Sequence, residues 1–160
     1  MVLGAAPAVA WLFMGQVLVW AVRMRYLGID YGTKRVGLAL SDENGTMGFP
    51  HAILANTGAL EDDVAALVAN EGVHAVVIGE SHDLSGVANP VARAAHAFGD
   101  ALSARTGVPV AYESEVYTSA QARRAPEKEA KTRAPKARAN VDASAAALIL
   151  TSYLTKHHAP

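Results

Sequence analysis

Apolar positions recur along the chain in two rhythms, and turn-forming residues separate them into short elements. "RYLGID" and "RVGLALSD" are β runs joined by "YGTK", where Gly32 suits a tight hairpin turn. "MGFPHAILAN" reads as a third strand, and Pro50 argues for an edge position or a bulge. "ALEDDVAALVANEG" changes to helical spacing: acids occupy its first turn, Leu60, Val64, Leu67 and Val68 share one face, and Gly72 suits its C-terminal end. "HAVVIGES" is a continuous apolar run, as in a strand covered on both faces. A second helix is predicted from about Asn89 to Thr106, ending at Gly107 before Pro109. "PVAYESE" is the fifth strand, "TSAQARR" a short helix and "VDASAAALILTSYLTKH" an apolar final helix.

Three consecutive strands followed by helix, strand, helix, strand and helix describe a mixed five-stranded sheet with helices packed on its faces. That order is the ribonuclease H-like arrangement. At 160 residues there is room for one domain with a full core, and not for two domains with a cleft between them. The hydrophobic fraction of 51%, much of it Ala, excludes a disordered chain. With no Cys there is no disulfide framework, thiolate nucleophile or Cys-based zinc site, so any metal would be held by oxygen or imidazole. The six His residues show no zinc-binding spacing.

A net charge of −1 conceals local patterning. "QARRAPEKEAKTRAPKARAN" carries Arg123, Arg124, Lys128, Lys131, Arg133, Lys136 and Arg138 against Glu127 and Glu129, half of the 14 basic residues in one stretch. It reads as a basic loop over 123–140, either simply solvated or suited to holding a polyanion. By contrast, the first 22 residues carry no charge and are almost long enough to cross a bilayer as a helix. No basic region precedes them, which fits a cleavable signal poorly. The expectation is a working domain over 24–160, starting natively at Met24, with 1–23 an artefact of start choice. The alternative is a membrane anchor, in which Arg23 and Arg25 keep the domain on the cytoplasmic side. Both readings place the working domain in the cytoplasm, and a membrane is a partner only if residues 1–22 are genuine.

"YLGIDYGTKRVGLALSD" resembles the opening of the YqgF (RuvX) family of pre-16S rRNA nucleases, also described as Holliday-junction-resolvase-like, and "NVDASAAALILTSYL" resembles its closing helix. The resemblance spans Met24 to about His157, with the motifs in family order. It implies hydrolysis of a phosphodiester by water activated on Mg²⁺ or Mn²⁺, which needs hard oxygen ligands from separate elements. Asp30, at the end of the first strand, and Asp142, at the start of the final helix, match the family's active-site carboxylates. Taken alone, Asp30 reads as a turn former and Asp142 as a helix N-cap.

The third carboxylate falls where the chain departs from the family. The usual Asp-Glu-Arg-Leu-Thr-Thr is here "SEVYTS", and alignment on Thr118 and Ser119 puts the ligand at Glu115. Glu113, two residues earlier, shares its face in an extended strand and is an accessory candidate. So is Glu80 in "GESHDLSG", where the family commonly has Gly-Leu-Pro, with a loop charge as the alternative.

Lys34 and Arg35 are candidates for phosphate contacts, together with Arg123, Arg124, Lys131, Arg133, Lys136 and Arg138 of the basic run. Tyr31 and Tyr117 are candidates for base stacking. The expected function is a metal-dependent nuclease acting on the 5′ end of pre-16S rRNA. A branched-DNA nuclease or a domain that binds nucleic acid without cutting it are the alternatives. "GIDYGT" also resembles the phosphate hairpin of actin-like ATPases and sugar kinases, but they enclose a nucleotide between two such domains. Monomer and homodimer both remain open.

Overall fold

A computed structural model of the chain describes residues 24–80, 89–114 and 135–157, with side chains in the last segment described from Asp142 onward. The strands are β1 (Arg25–Tyr31), β2 (Arg35–Ser41), β3 (Gly48–Ala55), β4 (Val73–Glu80) and β5 (Val110–Ser114). The helices are α1 (Leu60–Glu71), α2 (Pro90–Thr106) and α3 (Pro135–His157). The strands form one sheet in the order β3-β2-β1-β4-β5. β1, β2 and β3 form an antiparallel meander, and β4 and β5 extend it parallel to β1. The carboxyl ends of β1, β4 and β5 therefore meet at one edge, the side on which open α/β sheets bind ligands.

Both faces of the sheet are covered. Leu27, Ile29, Val36, Leu38, Val76 and Ile78 pack with Leu60, Val64 and Val68 of α1 and with Ala95 and Leu102 of α2. On the other face Tyr26, Ala39 and Val77 pack with Ala146, Ala147, Ile149, Leu150 and Leu154 of α3. This two-sided burial explains the continuous apolar run of β4, in which Val76, Val77 and Ile78 are all fully buried.

Local signals held where they were strongest. β3 is an edge strand, and the register of its pairing with β2 shifts between Leu38 and Ala39, next to Pro50. Asn89 caps α2, its Oδ1 accepting from the backbone N of Ala92 at 2.8 Å, with Pro90 in the first turn. α1 buries Leu60, Val64 and Val68 and ends at Gly72 with φ of 61°. Gly32 serves the hairpin differently from expectation. Its φ is not positive; rather, a Cβ there would fall 2.5 Å from the carbonyl oxygen of Arg35.

The final helix corrects the expectation more substantially. It begins at Pro135, so Asp142 lies well inside it and is not its N-cap, and residues 135–140 of the basic run are helical, not loop. Proline favours a first helical position, and the Lys, Ala and Arg that follow are good helix formers. The short helix expected over 118–124 lies outside the described residues.

Candidate active site

Two of the predicted carboxylates are brought to one corner by a glycine. Side chains alternate along β1: Leu27 and Ile29 enter the core under α1 and α2, so Gly28 and Asp30 face α3. Asp30 pairs directly with Gly37 of β2. A Cβ on Gly37 would lie 2.2 Å from the carbonyl oxygen of Asp142, so the backbone of α3 rests where any other side chain would stand. Gly28 repeats this contact further along, where a Cβ would fall 2.9 Å from the carbonyl oxygen of Ala146 and 2.7 Å from Cβ of Leu150. Glycine within a strand marks close approach by another backbone, and here the backbone is that of the helix carrying Asp142.

Arg35 joins this corner. Its Nη2 is 3.4 Å from Oδ2 of Asp142, with the two side chains 48% and 31% exposed. At that exposure the pair adds little stability. Its effect is to keep a guanidinium beside the carboxylate at the rim, where both remain open to solvent. Lys34 is exposed in the adjoining turn. Tyr31, proposed for base stacking, turns to the opposite face and packs on Phe98 with ring centroids 5.3 Å apart.

Of the two accessory candidates, Glu80 turns away from this corner. Glu80 shares the face of Val76 and Ile78, away from Asp30, and its Oε1 is 2.7 Å from Nε2 of His96 on α2. His96 stacks on Tyr112, centroids 3.9 Å apart, and the Tyr112 hydroxyl donates to the His96 carbonyl at 3.3 Å. Burial, then the negative charges of Asp100 and Glu80, raise the Tyr112 phenol above its ordinary value. Of this cluster the sequence singled out Glu80 alone, as an accessory candidate; His96 and Tyr112 carried no motif.

Glu113 does face α3. Ile29 pairs with Ile78, and Gly79 pairs with Glu113, so Glu113 stands two strands from Asp30 at about the same level. At ordinary strand spacing that is about 10 Å. Its Oε1 accepts from Ser152 Oγ at 3.1 Å and from Lys156 Nζ. Glu115, Arg123, Arg124, Lys131 and Arg133 lie outside the described residues, as do the side chains of Lys136 and Arg138. Among the described residues, no three His, Asp or Glu side chains form a metal-holding group. Asp30 and Asp142 supply hard oxygen donors of the type Mg²⁺ and Mn²⁺ take, from two separate elements.

A family profile described as RuvX, Holliday junction resolvase, matches residues 24–156. The chain belongs to the RuvX family. Its RuvX relatives include proteins provisionally named pre-16S rRNA nucleases. One from Lactiplantibacillus plantarum is 36% identical over 138 residues, 84% of this chain and 96% of the relative. One from Desulforudis audaxviator is 36% identical over 133 residues, 82% and 94% of the two chains. Among solved structures, the Thermus thermophilus RuvC bound to a Holliday junction substrate aligns with a TM-score of 0.55 at 18% identity, covering 85% of this chain and 96% of that one. That likeness shows a ribonuclease H-like fold for this RuvX member.

Proposed function

We propose that this RuvX-family protein is a divalent-metal-dependent nuclease that hydrolyses phosphodiester bonds at the 5′ end of pre-16S rRNA in the cytoplasm. The observation that carries the reading is the corner in which Asp142 of α3 rests on Gly37, the strand partner of Asp30. Asp30, Asp142 and Glu115 are the residues assigned to hold Mg²⁺ or Mn²⁺. When bound, the cation supplies an activated water and stabilises charge on the leaving oxygen.

The chain's own residues do the rest. Asp30 is fixed by the β1–β2 ladder, while Asp142 is held on the helix that Gly28 and Gly37 admit to the sheet. Lys34 and Arg35 place two cations at the rim to orient phosphates, with Arg35 also beside Asp142. Arg123, Arg124, Lys131, Arg133, Lys136 and Arg138 add a long-range attraction for polyanions. The rRNA substrate is supported by the names of relatives at 36% identity. The family's description as a Holliday junction resolvase supports branched DNA as the second substrate reading.

The test is cleavage of a labelled precursor-rRNA 5′ fragment and of a four-way DNA junction by the full chain with Mn²⁺, beside Asp30→Asn. Metal-dependent cutting of the RNA, lost in the variant, is expected. Preferential cutting of the junction would move the substrate to DNA. Binding of both without cutting would replace the enzyme with a binding domain.

A further inference from the structure

Glu113 and Ser41 are the buried polar side chains among the described residues, and Glu113 is the charged one, 5% exposed. A buried carboxylate is costly unless paired and hydrogen-bonded. Both partners of Glu113, Ser152 and Lys156, come from the last turns of α3, the helix that carries Asp142 nearer its N-terminus.

α3 is also held by apolar contacts over small residues, Ala146 and Leu150 on Gly28 and Ala147 and Leu150 on Gly48, by a hydrogen bond from the Gly48 N–H to Thr151 Oγ1 at 3.0 Å, and toward Asp142 by the backbone contact with Gly37 and the Arg35 ion pair. The apolar contacts are non-directional and, with the Thr151 bond, centre on residues 146–151, while the Gly37 contact limits how closely Asp142 approaches the sheet without holding it there. From that centre Asp142 lies about 9 Å along the axis in one direction and Lys156 about 12 Å in the other, at 1.5 Å per residue. A swing of roughly 10° about the centre therefore moves Asp142 by about 1.5 Å. Displacements of that size are enough to spoil a catalytic geometry. The ion pair fixes the Lys156 side of this lever to β5.

We infer that Glu113 is a positioning residue: its buried pair with Lys156, backed by Ser152, sets the angle of α3 on the sheet and so the place of Asp142 beside Asp30. This rests on the nuclease reading for its consequence, but not for the placement itself. It also removes Glu113 from the ligand set, because the carboxylate is committed to α3.

The test uses the full chain with Lys156→Met, Glu113→Gln and Lys156→Arg. Amide hydrogen exchange is expected to quicken at residues 142–146 as well as at 152–156 in the first two variants. Their kcat should fall on the order of tenfold to a hundredfold with KM within about twofold, and Lys156→Arg should restore both. If Lys156→Met does not fold, Ser152→Ala is expected to show the same pattern at smaller size. Faster exchange confined to 152–156 with kcat unchanged would reduce the pair to a local brace and overturn the inference. Weaker Mn²⁺ binding in Glu113→Gln together with tighter binding in Lys156→Met would make Glu113 a ligand, and would also overturn it. If wild type cuts neither substrate, the nuclease reading fails, and exchange at 142–146 still decides the placement.

Discussion

The carbonyl oxygen of Asp142 would lie 2.2 Å from a Cβ built on Gly37, so these two residues occupy one another's space and only glycine permits it. Because Gly37 is the strand partner of Asp30, the same contact sets how closely the two carboxylates can approach. Gly37→Ala must push α3 off the sheet. The expected cost is about 1–3 kcal/mol of stability, typical of overpacking, read as a lower denaturant midpoint with an unchanged slope. Cleavage should fall by more than the folded fraction does.

Arg35 and Asp142 should be coupled in function more than in stability. Arg35→Ala is expected to change the unfolding free energy by less than about 1 kcal/mol, since the pair is half exposed. Cleavage should weaken, with a shallower dependence on salt, as one phosphate contact is lost. Kinetics across a salt series check this; a salt slope equal to that of wild type would place Arg35 outside the substrate path.

Much of the architecture was legible because local chemistry and tertiary packing agree. Pro50 fits an edge strand, Asn89 and Pro90 open α2, and Gly72 closes α1. The site was only half legible. Asp30 and Asp142 stood out through their motifs, but Gly28 and Gly37 read as ordinary strand residues, although they let α3 approach. The facing of Glu80 was hidden because "AVVIG" is apolar on both faces, which conceals the alternation that turns Glu80 toward His96. The start of α3 was missed because charge made 135–140 look like loop, whereas Pro135 and the residues after it favour a helix.

Acid should loosen the turn between β2 and β3. Burial pushes the Asp42 carboxyl up, but hydrogen bonds from Met47, Thr46 and Asn44 outweigh it and hold the group below its ordinary 3.8. A depressed folded value means that Asp42 stabilises the fold above the ordinary carboxylate range, and that this contribution is lost as pH falls through the folded value. Asp42→Ala should lower Tm at pH 7 and flatten the acid limb of Tm against pH. An acid limb identical to wild type would contradict this.

Two phenols should titrate late. Burial, then Tyr153, raises Tyr26, and burial, then Asp100 and Glu80, raises Tyr112, both from 10.0. The folded state holds these protons more tightly than the unfolded chain, so their contribution is present below the ordinary value and lost as pH rises through the folded one. An absorbance titration of the five tyrosines should show a late component that shrinks in Tyr112→Phe. No change in the late component would contradict the assignment.

The most direct measurement is a calorimetric Mn²⁺ titration of the full chain beside Asp30→Asn, Asp142→Asn and the double variant. If the two carboxylates hold one cation site, each single substitution abolishes or greatly weakens the same binding event and the double variant is little worse than either. Binding that survives both substitutions at wild-type affinity would contradict a metal site at the Asp30–Asp142 corner, and with it the catalytic assignment of both residues.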